Sequence, residues 1–65
     1  MKNNGRYGKH GVYVTYLKKE YAVELWLHNK QANRTTYEHD EREKAIARIE
    51  YLSSAWSVPL KSHVP

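Results

Sequence analysis

The chain has 65 residues, a formal charge of +4 and a pI near 9.5. Hydrophobic residues make up 40% and charged residues 28%, which suits one small folded domain with a thin core and excludes a disordered polyelectrolyte. Cysteine is absent, so disulfide staples and thiolate metal sites are excluded.

Residues 1–11 hold all three glycines, Gly5, Gly8 and Gly11, together with Lys2, Arg6 and Lys9. This composition reads as a flexible basic arm. The spacing Gly5-x-x-Gly8-x-x-Gly11 is not a phosphate cradle, because no strand precedes it and no helix follows it. The start also lacks the apolar stretch of a signal peptide, and no apolar run approaches the roughly 18 residues needed to span a bilayer. The expectation is a soluble cytoplasmic protein with no membrane partner.

Residues 12–57 read as a single β-β-β-α domain. Val12-Tyr13-Val14-Thr15-Tyr16-Leu17 is β-branched and aromatic, the composition of a strand. Lys18-Lys19-Glu20 follows as a turn. From Tyr21 to His28 the chain alternates: Tyr21, Val23, Leu25 and Leu27 point one way, and Ala22, Glu24, Trp26 and His28 the other. Asn29-Lys30-Gln31 is the second expected turn, with Asn29 tolerant of positive φ. Residues 33–37 form a weaker third strand.

Asp40 and Glu43 have the spacing of a capping box, with Asp40 as N-cap. Ala45, Ile46, Ile49, Leu52 and Trp56 then recur at helical spacing, and the helix should end before Pro59. Residues 58–65 read as a C-terminal tail. Trp56 is expected to pack at the helix end, and Tyr16, Tyr21, Tyr37 and Tyr51 in the core or on its rim.

The fold class expected is therefore α+β: a three-stranded antiparallel sheet packed on one C-terminal helix. A single helix covers a single sheet face. The other face stays open and displays Tyr13, Thr15, Glu24, Trp26, His28, Arg34 and Thr36. Neither sheet edge shows a blocking device other than charge.

Charge is unevenly spread. Residues 1–34 hold seven basic side chains against two acidic ones, and residues 35–65 hold four against five. A positive sheet backed by a neutral helix suits a polyanion. Arg6, Lys9, Lys18, Lys19 and Lys30 are the candidate phosphate contacts. Arg34 can pair with guanine, while Tyr13 and Trp26 can pack on thymine methyls or sugars. Glu24 is repelled by phosphate unless it accepts a hydrogen bond from a cytosine amino group.

These residues resemble a known pattern. Gly11-Val12-Tyr13-Val14, Tyr21-Ala22-Val23-Glu24-Leu25 and Arg34-Thr35-Thr36-Tyr37, followed by acidic residues and Ala45-Ile46-Ala47, are similar to the strands and helix of the AP2-like domain. They also resemble the arm-binding N-terminal domain of phage tyrosine recombinases. The resemblance spans roughly residues 11–53. It departs from the AP2 pattern at Trp26, where arginine is frequent, and at Asn29-Lys30-Gln31, where glycine is frequent. It implies a phage or mobile-element DNA-binding module that inserts its sheet into the major groove. Tyr13, Thr15, Glu24, Trp26, Arg34 and Thr36 are then the reading positions.

Other chemistries are weaker on these residues. His10, His28, His39 and His63 do not share a zinc spacing, so neither a metal nor another cofactor is expected. Tyrosine nucleophiles need Arg and His partners from a catalytic domain that 65 residues do not contain, so the chain is not expected to be an enzyme. Two partner classes stand beside duplex DNA. A host protein would use Trp and Tyr on the open face as hot spots, the chain then acting as an inhibitor or adaptor. An RNA would stack unpaired bases on the same aromatics.

Overall fold

The computed structural model describes residues 8–65. Strands β1 (Gly11–Leu17), β2 (Glu20–Leu27) and β3 (Lys30–Glu38) are followed by a 3-10 turn at His39–Glu41 and helix α1 (Arg42–Trp56). The strands form one antiparallel sheet with β2 in the centre. The architecture is β-β-β-α, as the periodicities require.

The core lies between one sheet face and α1. Val12, Val23 and Leu25 are fully enclosed, and Ala45, Ile49 and Leu52 of α1 cover them. Burying each aliphatic side chain of this kind is worth about 1.5–3 kcal/mol. Val14, Leu27 and Ile46 flank the cluster and are partly buried.

The β2–β3 turn is tighter than the Asn29-Lys30-Gln31 reading. His28 and Asn29 form it alone, with φ of 51° and 69°. Two central residues at positive φ match the right-handed twist of a hairpin, so Leu27 pairs directly with Lys30 and β3 begins three residues before Asn33. The extra residue is absorbed by a bulge. Trp26 pairs with Gln31 but Leu25 pairs with Asn33, so Ala32 has no partner of its own. At the other end Glu20 is not a turn residue, because it pairs with both Leu17 and Glu38.

The helix start also differs. Asp40 does not cap α1; it lies in the 3-10 turn. The chain leaves β3 extended at Glu38, and the Glu38 N–H donates to Glu41 Oε1 at 2.9 Å. The reciprocal cap therefore closes around Glu38 and Glu41, two residues earlier than Asp40 and Glu43, and α1 begins at Arg42.

Residues 58–65 are docked. Ser57 ends the helix in the left-handed region at φ 53°, and the Val58 N–H donates back to Ser53 O at 3.1 Å. The chain then runs parallel to β1. Val12 N–H donates to Pro59 O at 3.0 Å, and Lys61 N–H to Val12 O at 2.9 Å. The Ser62 hydroxyl accepts the Val14 N–H at 2.6 Å and donates to Val14 O at 3.3 Å. Val58 and Val64 join the core. The outer edge of β1 is thus covered, although the sequence suggested no such device.

Because Val58 and Val64 complete the core, the expected packing of Trp56 does not occur; Trp56 is 53% exposed. Tyr51 is likewise 60% exposed, with the Arg48 guanidinium 5.7 Å from its ring centroid. Tyr21 lies in the core, Tyr37 packs against it and Tyr16 is exposed beside Tyr21.

Candidate functional site: the open sheet face

Strand alternation and pairing decide what the uncovered face presents. Gly11, Trp26 and Gln31 form one row across the sheet. Tyr13, Glu24 and Arg34 form the next, and Thr15, Ala22 and Thr36 the third; Leu17, Glu20 and Glu38 end the series. Ala22 is fully buried beneath its larger neighbours.

Glu24 organises the middle of this surface. Its Oε1 accepts the Trp26 indole N–H at 2.7 Å, and its Oε2 accepts Arg34 Nε–H at 3.2 Å. The carboxylate is largely shielded, with 15% of the side chain exposed against 43% for Arg34. Each carboxylate oxygen thus accepts one hydrogen bond, and Glu24 holds Trp26 and Arg34 in place. The Arg34 bond uses Nε and does not consume the terminal amino groups.

Lys9 completes the cluster. Its Nζ sits 4.6 Å from the Trp26 ring centroid and 5.0 Å from that of Tyr13. Backbone bonds fix its place: Lys9 N–H donates to Asn29 Oδ1 at 3.2 Å, and Asn29 N–H donates to Lys9 O at 2.7 Å. Next to it, His28 N–H donates to His10 Nδ1 at 3.0 Å, with the imidazole centroids 4.8 Å apart. The last residues of the basic arm are thus tied to the β2–β3 turn.

The structure brings Lys9, Tyr13, Trp26 and Arg34 together and sets Thr15 and Thr36 beside them. Lys18 and Lys19 stand apart, in the turn at the opposite end of the sheet. Lys30 pairs with Leu27, in the row that faces α1, so it borders the face without belonging to it. Arg6 lies outside the described residues.

Glu20 and Glu38 are directly opposed on the same face, a like-charge pair near the 3-10 turn. The strand rows of the face are cationic and aromatic toward the β2–β3 turn and acidic at Glu20 and Glu38, with Lys18 and Lys19 in the turn just beyond them. The bond between Glu24 and Trp26 was readable from their i, i+2 spacing on one strand. Its extension to Arg34 was not, because the bulge at Ala32 sets the β2–β3 register. Among the described residues, no three potential metal ligands lie together, and no helix is long and apolar enough to cross a membrane.

No family model matches the chain, and no curated protein or solved structure is significantly similar to it.

Proposed function

We propose that the open sheet face binds duplex DNA in the major groove. The observation that supports this reading is the cluster of Lys9, Tyr13, Trp26, Glu24 and Arg34. An oriented guanidinium and two aromatic rings share one uncovered surface with a lysine held by the backbone. The major groove, about 12 Å wide, admits β-structure. The lengths also suit phosphate contacts at two places. β2 has eight residues, so Lys18 and Lys19 stand roughly 26 Å from the Lys9 end of the sheet.

In this arrangement Arg34 offers its terminal amino groups to a guanine edge, with Glu24 setting its plane. Tyr13 and Trp26 pack on thymine methyls or sugars, and the lysines neutralise phosphates. The chain has no catalytic role of its own and needs no cofactor. It acts as a phage or mobile-element module in the host cytoplasm, in keeping with its similarity in element order to arm-binding domains.

Titration of labelled duplex DNA at several salt concentrations tests this. For four to six phosphate contacts, log affinity falls against log salt with a slope of about −4 to −5. Absence of binding at about 50 mM salt overturns the reading. Single-stranded RNA belongs in the same titration as a competitor, since it uses the same aromatics.

The opposed Glu20 and Glu38 favour a second reading, a protein partner with basic side chains that meets the acidic end while Trp26 supplies the anchor. One protein captured from nuclease-treated lysate, and lost with Trp26→Ala, supports it over DNA.

A further inference from the structure

The two edges of the sheet are unlike. The outer edge of β1 is covered by residues 59–62, whereas among the described residues no strand pairs with the outer edge of β3. Two hydrogen bonds show which backbone groups of β3 point outward. His39 N–H donates inward, to Lys19 O at 2.8 Å, while Glu38 N–H donates to Glu41 Oε1. Inward and outward groups alternate along an antiparallel strand, so Arg34 and Thr36 direct their N–H and C=O groups to the open edge. Arg34 and Thr36 are both exposed.

We propose that β3 pairs antiparallel with β3 of a second copy of this chain, with Thr35 on the two-fold axis, giving a continuous six-stranded sheet. In this register Arg34 of each copy faces Thr36 of the other. All the outward groups of these residues are then satisfied, by four backbone bonds. Shifting by two in one direction sets Thr36 opposite itself and calls on the Glu38 N–H, which Glu41 already occupies. Shifting in the other sets Arg34 opposite itself and draws in the bulged Ala32.

The side chains are complementary to a second copy rather than to an arbitrary peptide. Thr35 meets Thr35, and Asn33 meets Tyr37, on the side facing α1. On the open face Glu38 comes diagonal to Arg34 of the second copy, about 7–8 Å between Cβ atoms, within reach of a guanidinium. The covered β1 edge stops growth, so the assembly closes at two copies and does not extend into a fibre. Six strands measure about 24 Å across, wider than the major groove of about 12 Å, so the dimer and a groove-inserted monomer exclude one another.

Sedimentation of the full chain over a range of concentrations tests it, together with Thr36→Pro and Thr36→Ala. Proline removes an N–H that the β2–β3 ladder does not use, so the monomer fold is kept; circular dichroism checks this. Wild type and Thr36→Ala are expected to dimerise, and Thr36→Pro to dimerise about 10- to 100-fold more weakly, having lost two of four bonds. Should Thr36→Pro not fold, amide exchange of the wild type decides. The Arg34 and Thr36 amides are expected to exchange more slowly as concentration rises. A wild-type chain that stays monomeric at about 1 mM overturns the proposal, as does a dimer in which those two amides exchange freely or which Thr36→Pro leaves unaltered.

Discussion

Glu24 Oε1 accepts the indole N–H of Trp26 at 2.7 Å from two residues earlier on the same face of β2, while Oε2 holds Arg34. A single carboxylate therefore fixes the orientation of the two side chains on which the proposed DNA contact rests. Glu24→Gln keeps the shape and removes the charge. Random-sequence duplex should bind several-fold more tightly at low salt, because a repelling charge is gone, while discrimination between sequences falls. Anisotropy titrations with cognate and random duplexes measure both changes.

Trp26 is half-buried beneath Lys9 rather than standing clear of the surface. Trp26→Ala should cost about 1 kcal/mol of stability, from lost cation–π and partial apolar contact. The loss of DNA affinity should be larger, about 10-fold or more. Thermal melting and the salt titration separate the two effects.

Gly11 opens β1 at φ 143°, and a Cβ there would lie 2.7 Å from the Pro59 carbonyl oxygen. That oxygen accepts the Val12 N–H, so Gly11→Ala strains the backbone and pushes the C-terminal segment off the β1 edge. A loss of about 2–3 kcal/mol is expected in denaturant unfolding. Ser62→Ala, which leaves the Val14 N–H and C=O without their partner, should cost about 1–2 kcal/mol in the same assay.

Ser57 pays the steric cost of the left-handed region at the end of α1. Ser57→Gly should relieve it and stabilise the chain by about 1 kcal/mol. For a domain of this size that raises the melting temperature by about 4–8 °C in a calorimetric scan.

The Glu41 carboxyl is held below its ordinary value of 4.5, chiefly because it accepts the Glu38 N–H, and further by Lys44, whose Nζ lies 3.0 Å from Oε2. Its charged form is therefore favoured by folding. That contribution is fully present above the ordinary value and is lost as pH falls through the lowered folded value. Glu41→Gln should lower stability at neutral pH and make the acid limb of the stability curve less steep. Denaturant melts between about pH 2 and 7 measure this, and the side-chain carbon shift of Glu41 reports its titration directly.

The order of elements and the make-up of the two sheet faces were legible from local pattern. Alternation across Val12–Leu17 and Tyr21–Leu27 assigns each residue to a face without reference to any other part of the chain. The spacing of Ala45, Ile46, Ile49 and Leu52 likewise identifies the covering stripe, although Trp56, at the same spacing, is exposed. Period alone carries that information, because side-chain direction in a strand or helix depends only on position along it.

Contacts between distant residues belong to the tertiary structure. The His28–Asn29 turn and the bulge at Ala32 set the register that brings Arg34 to Glu24. Docking of Val58, Ser62 and Val64 covers one sheet edge, and no periodicity in residues 58–65 signals it. These features rest on hydrogen bonds and close packing between distant groups, such as Lys61 N–H and Val12 O, 49 positions apart. Such pairings depend on where the backbone places both partners, which local composition does not encode.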